Sequence, residues 1–239
     1  MTTDLAQRLR EGTKKSHTMA ENVGFVKCFL KGVVDKQAYG RLVGNLYFVY
    51  SAMEEALLQH QSHPVVGPIV FPELHRRASL EKDLVFYFGP HWRESLAPTP
   101  AGRAYVARIQ ELAATQPELL VAHSYTRYLG DLSGGQILKK IAQRAMNLEG
   151  DGTAFYEFEQ IGDEKAFKAH YRQTLDSLPL DEATIETIVE EANDAFRMNM
   201  AMFQELNGNL IKAIGQMLFN SLTRSRSRGS TEAELAAAE

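Results

Sequence analysis

The sequence predicts an all-α protein built as a single-domain helical bundle. Three observations carry that reading. Apolar residues recur at steps of three and four over long stretches, helix start signals stand at the heads of those stretches, and no segment joins sustained alternation to a hairpin turn. The composition agrees: 44% hydrophobic and 23% charged over 239 residues is that of a globular chain.

The N-terminal segment carries Leu5, Leu9, Thr13 and His17 at four-residue steps, so one amphipathic helix is expected to bury all four. From Gln37 to Leu57 the stripe runs through Tyr39, Leu42, Val43, Leu46, Val49, Tyr50 and Met53. Thr99-Pro100 places a cap before a proline at the first helical position, and Asp163 and Asp181 open the two helices that follow. The last of these is expected to reach Leu218 by way of Phe196, Met200, Phe203, Leu210, Ile211 and Ile214. Breaks near 63–72, 89–100 and 149–153 are too short for interdomain linkers. The domain is therefore drawn over 1–222, with 223–239 as a disordered polar tail.

Charge and cysteine usage narrow the function. Lys and Arg number 26 against 30 Asp and Glu, a net charge of −4 with no massed basic block, which argues against a nucleic-acid partner. One cysteine, Cys28, excludes an intramolecular disulfide and a Cys-rich zinc module. No apolar run is long enough for a membrane anchor and no secretory signal is visible, so a cytoplasmic location is expected.

The most informative run is YTRYLGDLSGGQILKK, Tyr125 to Lys140, inside a helical pattern that begins near Pro117. Gly130, Gly134 and Gly135 each cost a helix about 0.5–1 kcal/mol relative to Ala. Tight helix packing, a kink, or a flat ligand approaching the backbone would each offset that cost. The Gly130–Gly135 spacing imitates a phosphate loop, but Gln136 and Ile137 stand where Lys and Ser or Thr are required. LSGGQ, a signature of ABC-type ATPases, has no accompanying Gly-Lys dipeptide anywhere in the chain.

Of the seven histidines, none follows a Glu by three residues, as a di-iron carboxylate bundle needs. His60 and His63 read as a solvated pair at a helix end, and His123 as a hydrogen-bonded core histidine. His17 fits either a core histidine or a metal ligand. Glu21, one turn later, could set its tautomer, and Arg10 and Lys14 lie beside the stripe where an anionic edge could rest. A histidine helix facing a glycine-rich helix makes a slot for a flat apolar molecule with an acidic rim, and haem has that shape and chemistry.

These residues resemble haem oxygenase, most closely the soluble type of cyanobacteria and plastids. The resemblance rests on GTKKSHTMAEN (Gly12 to Asn22), GNLYFVYSAMEE (Gly44 to Glu55), FPELHR (Phe71 to Arg76) and PELLVAHSYTRYLGDLSGGQILKKIAQ (Pro117 to Gln143). It implies haem held between a proximal and a distal helix and serving as both cofactor and substrate. His17 would be the ligand to iron, with Glu21 behind it. The distal helix would carry Asp131, Gly130, Gly134 and Gly135, with Asp131 anchoring water. Arg10, Lys14, Lys168 and Arg172 would meet the propionates, Tyr125 would join them, and Phe196 and Asn199 would line the pocket. The implied reaction is O₂- and electron-dependent opening of haem at the alpha-meso carbon to biliverdin IX-alpha, carbon monoxide and ferrous iron. Ferredoxin would be the electron donor and a bilin reductase the downstream partner, in a cyanobacterial cytosol or a plastid stroma. A rim of Lys14, Lys15, Lys139, Lys140 and Arg144 reads either as the ferredoxin face or as a solvated surface. The rivals are a haem carrier or sensor without turnover, and another enzyme of related fold.

Overall fold

The computed structural model describes residues 3–206. Among the described residues eleven α-helices follow one another: α1 (Leu5–Gly12), α2 (Lys14–Glu21), α3 (Gly24–Leu30), α4 (Lys36–Gln59), α5 (Arg77–Phe88), α6 (Trp92–Ser95), α7 (Pro100–Thr115), α8 (Leu120–Ser124), α9 (Gly130–Met146), α10 (Glu164–Asp176) and α11 (Glu182–Glu205). No strand occurs among the described residues. The expected continuation of the last helix through Leu210, Ile211 and Ile214 and the tail 223–239 lie outside the described residues.

The caps work as their residue types require. Thr99, Asp163 and Asp181 accept from the amides of Gly102, Ala166 and Thr184 at 3.2, 2.9 and 2.8 Å, and Asp35 does the same for Ala38 at the head of α4. α4 is the core helix, with Tyr39, Val43, Val49, Tyr50, Met53 and Leu57 buried. It packs on α5, α7 and α8, while α11 covers α7, α8, α1 and α2.

The N-terminal stripe divides at Thr13. Leu5 and Leu9 are buried, and the Thr13 hydroxyl turns back to the Leu9 carbonyl at 2.6 Å, ending α1. A Cβ on Gly12 would meet Val189 Cγ1 at 2.5 Å, so this junction lies close on α11. Asn193 of α11 then donates to the Gly12 carbonyl and accepts from Ser16. α2 is held from one side and buries none of its residues, so His17 is not on a buried stripe.

The lesser histidines have defined partners. His60 Nε2 lies 2.8 Å from the Ala113 carbonyl, and His63 Nδ1 accepts from the amides of Val65 and Val66, so they are not a solvated pair. The chain turns sharply at Pro64, which brings those amides back onto the ring. His123 is a buried core histidine, 3.0 Å from Glu191 and 3.3 Å from the Tyr105 hydroxyl. Burial would raise the Glu191 carboxyl, but hydrogen bonds from His123 and Arg108 bring it down to about 2.

Glu54 behaves in the opposite sense. Its carboxylate accepts the Arg76 amide at 2.5 Å, yet burial outweighs that bond and pushes its pKa up to about 7. A raised value means that the contribution of this group to stability is full below about pH 4.5 and is lost as pH rises through 7, a change of about 3 kcal/mol. Glu54→Gln is expected to flatten the stability profile between pH 5 and 8 and to raise the unfolding midpoint at pH 8. Denaturation at both pH values checks this; a constant offset between the two proteins would contradict it.

Candidate functional site

The helix expected from Pro117 onward is not continuous. After α8, residues Tyr125–Leu129 form a π turn, and regular α-helix resumes at Gly130. The break therefore precedes the glycines. A π turn admits one extra residue per turn and rotates the side chains after it, which sets the direction in which Gly130, Asp131 and Gly134 point.

Packing requires none of the three glycines, and only Gly135 faces another element. A Cβ on Gly135 would lie 3.4 Å from Tyr156, an ordinary contact, whereas one on Gly130 would meet nothing and one on Gly134 only Leu138 at 4.0 Å. Gly130 has ordinary helical angles, φ −63° and ψ −50°. Neither packing nor a backbone requirement explains the open pair. Gly134→Ala is expected to stabilise the ligand-free protein by about 0.5–1 kcal/mol, the helix-propensity gain, which thermal unfolding would read.

Between these glycines sits Asp131, part of a buried chain of polar groups. The Tyr50 hydroxyl donates to the Asp131 carboxylate. Arg127 donates through Nε to the Tyr50 oxygen at 3.0 Å and through Nη1 to Asn199 Oδ1 at 2.6 Å, and Nη2 lies 3.7 Å from Asp131. The Arg127 and Asp131 side chains are 10% and 12% exposed. Burial raises the pKa of Asp131, opposed by Arg127, the Tyr50 bond and Arg76. The Asn199 carbonyl oxygen is engaged by Arg127, and its place on the buried face of α11 puts it under the π turn.

On the other side, His17 is 60% exposed. Its ring meets Phe196 of α11 edge-on with centroids 5.8 Å apart. Nδ1 lies 3.7 Å from Glu21, too long for a hydrogen bond but close enough to turn that nitrogen toward the carboxylate. Nε2 is the nitrogen left facing outward.

The predicted anion-binding groups separate into two sets. Tyr125 is half-buried beside Thr13, with the Arg172 and Arg10 charges near it; burial raises its pKa, and those charges and Thr13 oppose the rise. Arg10, Lys14 and Arg172 are exposed. Lys168 is different: its ammonium lies 3.4 Å from the Leu132 carbonyl, tying α10 to α9. Lys139 also leaves the expected basic rim, being paired with Glu157 at 2.6 Å, whereas Lys15, Lys140 and Arg144 are exposed.

α2 and α9 are linked through shared neighbours. α11 packs on α2 and on the π turn, α3 packs on both helices, and Tyr125 meets Thr13 at the α1–α2 junction. Two participants escaped sequence reasoning. Arg127 had a legible signal, a cation four residues before Asp131 in an otherwise apolar run. Tyr50 had none, because an aromatic on a core stripe announces packing and not a hydroxyl contact.

The heme oxygenase family model matches residues 3–205. Heme oxygenase 1 of Synechocystis sp. PCC 6803 is 69% identical over the whole of both chains, and heme oxygenase 1 of Nostoc sp. PCC 7120 is 68% identical over the whole of both. The crystal structure of the Synechocystis heme oxygenase-1 in complex with heme superposes with a TM-score of 0.90, covering 92% of this chain and 100% of that one. Heme oxygenase-2 of the same organism, in complex with heme and NO, gives 0.88 at 52% identity, with 93% of each chain covered. With the helical order, the open glycine pair and the family model all in agreement over residues 3–205, this chain belongs to the heme oxygenase family.

Proposed function

We propose that this chain binds haem between α2 and α9 and, with O₂ and external electrons, opens it to biliverdin IX-alpha, carbon monoxide and ferrous iron. The observation that carries the reading is the pair Gly130 and Gly134, whose missing side chains would project into open space. Such a surface suits a flat molecule that comes within contact distance of helical backbone.

The residues present fit haem. His17 offers Nε2 to iron, and a small rotation of the exposed Glu21 side chain that closes the 3.7 Å to Nδ1 would hold the ring's tautomer and raise its basicity. Phe196 supports the ring edge and fixes its plane. Arg10, Lys14 and Arg172 supply exposed cations for propionates, with the Tyr125 hydroxyl among them. Lys168 would reach a propionate only by leaving the Leu132 carbonyl. When bound, haem supplies the iron at which O₂ is activated.

The chain's own part in the chemistry is steric and electrostatic. Gly130 and Gly134 admit O₂ and ordered water while presenting no side chain able to donate or take a proton directly. Asp131 holds that water in place, and Tyr50 and Arg127 hold Asp131. Arg172 fixes the rotation of the macrocycle and so selects the alpha-meso edge. The di-iron rival needs a cluster of carboxylates and histidines, and among the described residues no three such groups come together.

Purified protein mixed with hemin is expected to give a Soret band and, with reductant in air, biliverdin absorption. A Soret band without biliverdin would favour a carrier; no band would reject haem altogether. Gly134→Ala is expected to lower this turnover even as it stabilises the protein.

Ferredoxin is the electron donor in this reading, and a bilin reductase the downstream partner. Lys14, Lys15, Lys140 and Arg144 form the steering face. The ferredoxin-dependent rate is expected to fall several-fold between low and physiological ionic strength; a flat salt response would remove the electrostatic docking. No helix among the described residues is long and apolar enough to cross a membrane, and we place the enzyme in the cytoplasm.

A further inference from the structure

Behind α9, on the side away from the glycine pair, the segment 153–158 is gripped by two buried charges that the chemistry above does not use. Asp83 of α5 is fully buried and accepts the Ala154 and Phe155 amides, one on each oxygen, at 2.8 Å. Arg76, immediately before α5 and 4% exposed, donates to the carbonyls of Phe155 (3.4 Å) and Glu157. Its remaining donors reach the carbonyls of Leu74 (3.0 Å) and Glu73 (3.3 Å), and its guanidinium lies 3.8 Å over the Phe158 ring. The backbone of one short segment is thus held at its N–H groups by an anion and at its C=O groups by a cation.

The opposite side of the same segment holds α9. Gln136 donates to the Tyr156 carbonyl at 3.1 Å, Lys139 pairs with Glu157 at 2.6 Å, and Gln143 reaches Thr153 at 3.3 Å. The Tyr156 ring occupies the place opposite Gly135. Phe155 meets Tyr50 edge-on at 5.5 Å, and Tyr50 is the residue that donates to Asp131. Burying two charges costs a fold more than packing the same volume with apolar groups. What the charges add is a direction-specific hold on backbone, which apolar packing does not give.

We infer that Arg76 and Asp83 are positioning residues for the reaction: through segment 153–158 they hold α9 and Tyr50 at a set distance from the cleft, keeping Gly130, Gly134 and Asp131 in register with the bound substrate. The inference rests on the functional reading above, since the cleft must be where turnover occurs for the register to matter. Two features support it over a packing role alone. The ties on the far side run to α9 and to the core helix α4, through Tyr50 and through a hydrogen bond between Tyr39 and Tyr156, and the hold is made by the polar atoms of the segment's backbone, which fix its height as well as its contact.

Amide hydrogen exchange on hemin-free protein tests the hold without any turnover. In Asp83→Asn, which keeps the volume but loses one amide bond, amides of 130–140 are expected to exchange about tenfold faster while those of α7 stay within about twofold. Gln136→Ala, which removes a tie from the exposed side and leaves α5 intact, is expected to move the same amides in the same sense and serves if Asp83→Asn does not fold. No acceleration at 130–140 in the folded variants, or equal acceleration in α7, would overturn the inference. With hemin, Asp83→Asn is expected to lose about tenfold in kcat at nearly unchanged hemin affinity, the size typical of groups that orient a site from behind; an unchanged kcat would also overturn it. Wild-type protein that makes no biliverdin would sink the functional reading and leave the exchange result standing.

Discussion

Alanine in place of His17 is expected to leave the fold intact and to lower hemin turnover at least about 100-fold, about 2.7 kcal/mol of barrier. The exposure of the ring decides the first half. At 60% exposed, with Phe196 and Glu21 beside it, the imidazole contributes little to packing, so the unfolding midpoint should shift by no more than surface substitutions do, about 0.5 kcal/mol. The second half follows from donor chemistry: in the proposed site a neutral imidazole nitrogen is the ligand to iron, and alanine offers none. Because the ring stands open to solvent, added imidazole can enter the space it vacates and is expected to restore most of the turnover. Glu21→Gln should cost less, about tenfold, since it changes only the basicity and orientation of the ring. Hemin titration followed by absorption spectroscopy reads the ligand directly. A spectrum unchanged by His17→Ala would mean that another residue holds the iron.

What the sequence made legible was whatever repeats or caps. α4 was readable from its apolar period, α7 and α10 from their start signals and α11 from both, and the cap residues accept the amides expected of them. The division at Thr13 was not readable, since Leu5, Leu9, Thr13 and His17 keep one period across it; only the Thr13 side-chain bond to Leu9 and the close approach at Gly12 end the first helix. The expected burial of His17 failed for that reason. The π turn was hidden as well, because Tyr125–Leu129 carries no residue that forbids regular α-helix. The glycine cluster was found, but its surroundings divide in a way that spacing cannot show: Gly135 faces Tyr156 at ordinary contact distance, while Gly130 and Gly134 face open space. Positive charges were legible, but not their partners: Lys139 and Lys168 each meet a protein group 18 and 36 residues away.

Asp131→Ala is the complementary experiment, because it changes the chemistry while leaving the iron ligand in place. Hemin is expected to bind within about threefold of wild-type affinity, since no part of the Asp131 carboxylate is needed to hold the macrocycle, and biliverdin formation is expected to fall about 10²-fold, the scale of losing one preorganised polar group at a reaction centre. The physical reason lies in the chain Asn199, Arg127, Tyr50, Asp131. Tyr50 donates to the carboxylate and Arg127 to Tyr50 and Asn199, so the carboxylate is held in one orientation and, in the proposed mechanism, gives the water it would anchor one position. Removing the carboxylate frees the Tyr50 hydroxyl and leaves Arg127 without its nearby anion, at a stability cost of about 1–3 kcal/mol. It also lets loosely held water or buffer take over proton delivery, and for that reason oxidation of a phenol by hydrogen peroxide is expected to rise as biliverdin falls. Asp131→Asn separates the two effects. It can still accept from Tyr50 but carries no charge opposite Arg127, so it should recover most of the stability and only part of the turnover. Unimpaired biliverdin formation in Asp131→Ala would reject the role outright, whereas equal recovery of stability and turnover in Asp131→Asn would make the carboxylate a packing group and not the anchor of water.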